Sequence, residues 1–93
     1  MKIVTVCSMG IGTSILLKMN VEAVLDRLGM QATVEASDLS SARGVAASAD
    51  LILTNTEMAR ALDDIATRVV VIRNFMDMGE IQRGLLTLRD RGE

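Results

Sequence analysis

A chain of 93 residues has room for one hydrophobic core, and an apolar fraction of 49% is enough to fill it. A net charge of −2 gives no basic footprint for nucleic acid, no apolar stretch is long enough to insert in a membrane, and too few residues precede Cys7 to form a signal peptide. The single cysteine and the absence of histidine argue against disulfide scaffolds and soft metal sites, and fit a reducing, cytoplasmic compartment.

Lys2–Val6 is a short apolar run that reads as a buried strand. Cys7 and a glycine-rich turn follow, Ser8-Met9-Gly10-Ile11-Gly12-Thr13-Ser14. A helix is expected from Thr13 or Ser14, both good N-cap types, to Leu28. Its apolar positions Leu16, Leu17, Val21, Val24, Leu25 and Leu28 recur at helical spacing, and Gly29 suits the C′ position. Gln31–Ala36 alternates as a strand does. Ser40 or Ser41 is the expected cap of a short helix through Ala42–Ser48. A third strand covers Asp50–Thr54 and a third helix Glu57–Ile65. Arg68–Arg73, with Val69-Val70-Val71-Ile72, reads as the most clearly buried strand. A last helix spans Asp77–Arg91, with Ile81, Leu85 and Leu88 on one face. No repeat, linker or compositional break interrupts the chain, so residues 1–93 read as one domain.

Strict alternation of strand and helix implies an α/β fold, an open four-stranded parallel sheet doubly wound with helices on both faces. Ligands of such sheets bind beyond the carboxyl ends of the strands, at the switch in strand order. Cys7, Thr54-Asn55-Thr56 and Arg73-Asn74 all follow strands, which makes Thr54, Arg73 and Asn74 candidate rim residues beside Cys7. Phe75-Met76-x-Met78 reads first as core packing, although its place beside the rim would also suit a docking surface. The acidic pairs Asp63-Asp64 and Asp77/Glu80 read as solvated helix positions, with no metal site and no cofactor implied.

Strand, glycine-rich loop and helix in that order aim backbone N–H groups and the positive end of a helix dipole at Cys7, which favours a thiolate and an anion held on it. Gly10 and Gly12 would let the loop turn its N–H groups inward. A nucleotide P-loop needs a lysine where none stands, because Lys18 lies a turn or more into the helix. A dinucleotide fingerprint could use Gly10 and Gly12, with Glu35 as the ribose acid, but Ile15 stands where a third small residue belongs. A low-molecular-weight cysteine phosphatase loop, Cys-x5-Arg-Ser/Thr, fits in frame from Cys7 to Ser14. Thr13, however, replaces the arginine that would clamp the phosphoryl oxygens. The anion cradle is present, while the parts that speed hydrolysis are missing. That is what a carrier of phosphoryl groups needs.

The loop from Cys7 to Ser14 closely resembles the phosphocysteine loop of enzyme IIB subunits of the bacterial phosphoenolpyruvate-dependent sugar phosphotransferase system. Lys18-Met19-x-Val21 and Val71-x-Arg73-Asn74 are most similar to the ascorbate-type branch, within the lactose/cellobiose/galactitol-like IIB fold. The resemblance implies strand order 2-1-3-4. It also implies that Cys7 takes a phosphoryl group from a phosphohistidine of a IIA protein and passes it to a sugar held by a membrane-embedded IIC protein. The backbone of Ser8, Met9, Gly10, Ile11, Gly12, Thr13 and Ser14, with the Thr13 and Ser14 hydroxyls, would bind the phosphoryl oxygens. The alternative from another class is a small nucleotide- or anion-binding module with no carrier activity.

Overall fold

The computed structural model describes residues 1–7 and 11–92, and the side chains of these except for residues 11, 12, 14 and 88–92. Four strands and four helices alternate: β1 (Lys2–Val6), α1 (Ile11–Leu28), β2 (Thr33–Ser37), α2 (Leu39–Ala46), β3 (Leu51–Thr54), α3 (Thr56–Ala61), β4 (Val69–Val71) and α4 (Met78–Gly92). All strand pairs are parallel, in the order β2-β1-β3-β4. The expected doubly wound sheet is thus present, with its switch in strand order between β1 and β3.

Period-two alternation in the strands sorts the core into two layers. Ile3, Val34, Leu51 and Leu53 pack with Leu17, Val21, Val24 and Leu25 of α1 and with Ile81 and Leu85 of α4. Val4, Val6 and Ile52 face the other way, against Ala42 and Ala46 of α2 and Leu62 just after α3. Gly84 brings α4 close to the sheet, since a Cβ there would stand 3.1 Å from a Val70 methyl carbon and 3.5 Å from Cδ1 of Ile72.

Several element boundaries differ from the sequence expectation. Helix α1 begins at Ile11, so Thr13 and Ser14 lie inside its first turn and neither is the cap. Leu16, expected on the buried face, is 39% exposed; the buried stripe passes through Leu17 instead. The end of α1 is as expected. Gly29 takes φ 71, its N–H donates to the Asp26 carbonyl, and the Met30 N–H donates to that of Leu25. These two bonds form a Schellman motif. Asp38, and neither Ser40 nor Ser41, caps α2, accepting from the Ser41 N–H at 2.8 Å. Its acceptor oxygen is held by Ser40 as well, and these hydrogen bonds, the Ser41 N–H foremost, keep its carboxyl below the ordinary carboxylate range. Strand β4 is three half-buried residues at the sheet edge, not the most buried strand. Hydrophobicity reports how well the faces are covered, while lateral position depends on pairing.

The acidic pairs also do more than face solvent. Asp64 accepts from Arg43 Nη1 through both oxygens at 3.0 Å, and Arg43 Nη2 donates to the Ala61 carbonyl. The Arg43 hydrogen bond lowers the titration of Asp64, yet both side chains are largely exposed, so the pair contributes little to stability. Leu88 lies beyond the described side chains.

Candidate functional site

The register of the sheet builds the site. Val6 pairs with Ser37 on one side and with Thr54 on the other, so Cys7, Asp38 and Asn55 leave three adjacent strands side by side. The positions that follow start α1, α2 and α3, and three helix N-termini therefore gather at the carboxyl end of the sheet. Cys7 stands in the middle of this row, at the switch in strand order, where open α/β sheets bind their ligands. Its side chain is 4% exposed. The first N–H groups of α1, those of Ile11, Gly12 and Thr13, have no carbonyl of their own helix to donate to. Gly12 sits in this helical turn and not in a left-handed one; among the described residues only Gly29 has a positive φ. Ser8, Met9 and Gly10 lie outside the described residues, as do the side chains of Ile11 and Ser14.

Thr54 is at the site but does not offer its hydroxyl to a ligand. It is fully buried, and Oγ1 donates to the Val6 carbonyl at 2.7 Å. This bond fixes the peptide immediately before Cys7. The next residue, Asn55, was named in the sequence only as part of a loop, yet it is the side chain that reaches the sulfur. Its Oδ1 accepts from the Met58 N–H at 2.9 Å and caps α3, and its Nδ2 lies 4.0 Å from Cys7 Sγ. The signal for it was available: Asn before Thr-Glu is a good N-cap pattern.

Arg73 and Asn74 follow β4, which pairs with β3, so β3 stands between them and β1. Their backbone N–H groups donate to the two oxygens of Glu80, at 2.8 and 3.0 Å. Asn74 Oδ1 accepts from the Met76 N–H, and Asp77 Oδ1 accepts from the Glu80 N–H at the head of α4. Glu80, read as solvated, instead clamps this loop. Asn20 of α1 ties the same loop from below, donating to the Phe75 carbonyl at 2.6 Å. Phe75 and Met78 pack on the core, as the first reading had it, while Met76 is 64% exposed. Among the described residues no group of three acidic, cysteine or histidine side chains is placed to hold a metal. No described helix is long and apolar enough to cross a membrane.

A buried cysteine at the switch point, just ahead of a helix N-terminus, is the geometry that the loop motif implied. Comparison with known proteins decides the family. Residues 2–85 match the family described as PTS system, Lactose/Cellobiose specific IIB subunit. The chain belongs to this family. It is therefore a IIB component of the sugar phosphotransferase system, a phosphotransferase, and the dinucleotide-sensor and phosphatase readings give way. One relative, the ascorbate-specific PTS system EIIB component of Mycoplasma pneumoniae, is 34% identical over 84 residues, covering 89% of this chain and 88% of its own. The fold also matches the lactose-specific IIB component domain of Streptococcus pneumoniae, with a TM-score of 0.69 at 14% identity, over 100% of this chain and 98% of the other. That likeness extends to the fold alone. The IIB architecture puts Cys7 and Asn55 at its ligand-binding edge.

Proposed function

We propose that this IIB component carries its phosphoryl group on Cys7, between a IIA phosphodonor and a sugar bound by a membrane IIC partner, at the cytoplasmic face of the membrane. The observation that carries the reading is the position of Cys7, at the switch in strand order and directly before α1, in a chain of this family. In the first step the Cys7 sulfur, as thiolate, attacks the phosphorus of the IIA phosphohistidine. An S–P bond forms and the P–N bond breaks. Its electron pair returns to the imidazole, which takes up the proton given up by the thiol. In the second step a sugar hydroxyl oxygen attacks the same phosphorus, the S–P bond breaks, sulfur leaves as thiolate, and the hydroxyl proton is lost to a base or to water.

Little covalent chemistry is asked of the protein in such transfers, and catalysis comes from positioning and from stabilising charge on the phosphoryl oxygens. The N–H groups of Ile11, Gly12 and Thr13, together with Ser8, Met9, Gly10, Ser14 and the Thr13 hydroxyl, form the proposed cradle. Thr54 holds the Val6–Cys7 peptide, and Arg73 and Asn74 belong to the outer rim through the loop clamped by Glu80. Ascorbate is the substrate class that the Mycoplasma relative suggests.

The test is transfer through the complete relay. Membrane vesicles bearing an ascorbate-type IIC protein would be supplied with phosphoenolpyruvate, the general phosphotransferase proteins, a IIA protein and this chain. Labelled ascorbate should be phosphorylated only when the chain is present and Cys7 is intact. Phosphorylation by the Cys7→Ala variant at the wild-type rate would overturn the proposal.

A further inference from the structure

The Asn55 side chain is anchored at one end and open to chemistry at the other. Its carbonyl oxygen is committed to the Met58 N–H at 2.9 Å, in extended backbone geometry (φ −88, ψ 173) that suits an N-cap. With the oxygen fixed, the planar amide can point its NH2 group in one direction only, and that direction is toward Cys7 Sγ. The backbone on both sides is held too, since Thr54 is locked to the Val6 carbonyl and Thr56 begins α3. A separation of 4.0 Å is too long for a strong bond to the sulfur itself. It leaves room for an oxygen carried on that sulfur, within reach of the amide at an ordinary N–H···O distance of about 2.9 Å.

We propose that Asn55 is a catalytic residue of the transfer, donating an amide N–H to an oxygen of the phosphoryl group as it arrives on and leaves Cys7. The inference rests on the phosphocysteine reading and assigns that site a side-chain donor from β3–α3, opposite the backbone donors of α1. A neutral donor suits a carrier. It steadies charge on the phosphoryl oxygens in both directions of transfer, and it lacks the permanent charge of an arginine clamp that would hold the group too tightly to hand on. Loss of one such donor lowers a transfer rate by about tenfold to hundredfold.

Two variants separate this role from the helix cap. Asn55→Ser keeps a good cap but is too short to reach the sulfur, and Asn55→Asp keeps the cap while replacing the donor by a charged acceptor. Wild type and both variants would be mixed with phosphorylated IIA protein, and the rate of adduct formation followed by rapid-quench intact mass spectrometry. Thermal melts and the rate of Cys7 alkylation by iodoacetamide would be measured in parallel. The expected result is melting near that of wild type for both, a transfer rate about tenfold or more lower for Asn55→Ser, and a larger loss for Asn55→Asp. Alkylation, which involves no phosphoryl oxygen, should change less than transfer in Asn55→Ser. Transfer at the wild-type rate by both variants, or losses of transfer that only follow a fall in melting temperature, would overturn the role of Asn55 and leave the carrier reading standing. An absence of adduct on wild type would overturn both.

Discussion

Replacing Thr54 by valine tests how the fold aims Cys7. The threonine is fully buried and its hydroxyl donates to the Val6 carbonyl at 2.7 Å, so the side chain joins β3 to the last peptide of β1. Valine has nearly the same shape and opens no cavity. The cost is the lost hydrogen bond and a buried carbonyl left short of a partner, about 1–2 kcal/mol. In a chain of this size that lowers the melting temperature by about 5–15 °C. Thr54→Ser is the matched control. It keeps the bond and loses one buried methyl group, at a cost of about 1 kcal/mol. The two variants are therefore similarly destabilised, but only valine releases the Val6–Cys7 peptide. Denaturant unfolding gives the stabilities, and the rate of phosphoryl transfer from IIA gives the alignment. Thr54→Val should transfer several-fold more slowly than Thr54→Ser at equal stability. Wild-type stability in Thr54→Val, or equal transfer rates in the two variants, would refute the assignment of Thr54 as the residue that fixes Cys7.

Three further outcomes follow from other contacts. Glu80→Ala removes the acceptor for the Arg73 and Asn74 N–H groups, so hydrogen exchange should speed at those two amides before the rest of the sheet, with a loss of about 1 kcal/mol; unchanged exchange there would contradict the clamp. Asp38 and Asp64 titrate below their ordinary 3.8 in the folded chain, so their contribution is complete above that value and is lost as pH falls through the folded values. Thermal melts from about pH 7 to about pH 3 should show stability falling in the acid limb, less steeply in Asp38→Asn, which keeps the cap but cannot titrate; identical limbs would remove Asp38 as a contributor. Gly84→Val forces branched carbon into the contact with Val70 and Ile72 and should destabilise by about 1–3 kcal/mol in denaturant unfolding, whereas wild-type stability would show that α4 can lift from the sheet without cost.

The alternation of elements was legible because each strand is apolar and each helix carries its own stripe, and the Schellman end of α1 was legible because Gly29 is needed there. Strand order was not contained in periodicity; it came with the family resemblance. Helix starts were misplaced for a physical reason. Thr13 and Ser14 are good caps, but good cap residues also serve inside a first turn, and α1 begins two residues before Thr13. At α2 an aspartate competed with two serines and took the cap. Within the candidate site, the loop and Cys7 stood out because glycines before a helix have few other uses. The roles of Thr54, Asn55 and Glu80 depend on which groups meet across 48 residues, in the Thr54–Val6 and Asn55–Cys7 pairs, or across a turn, in the Glu80–Arg73 pair, and spacing along the chain does not encode such meetings.

The most direct test of the central claim is intact mass spectrometry at neutral pH after incubation with phosphoenolpyruvate, the general phosphotransferase proteins and an ascorbate-type IIA protein, with wild type beside Cys7→Ser. A single phosphoryl adduct that requires every relay component and disappears in the variant is the predicted result. An adduct that persists in Cys7→Ser, or wild type that stays unmodified while the IIA protein is fully phosphorylated, would contradict a phosphocysteine carrier.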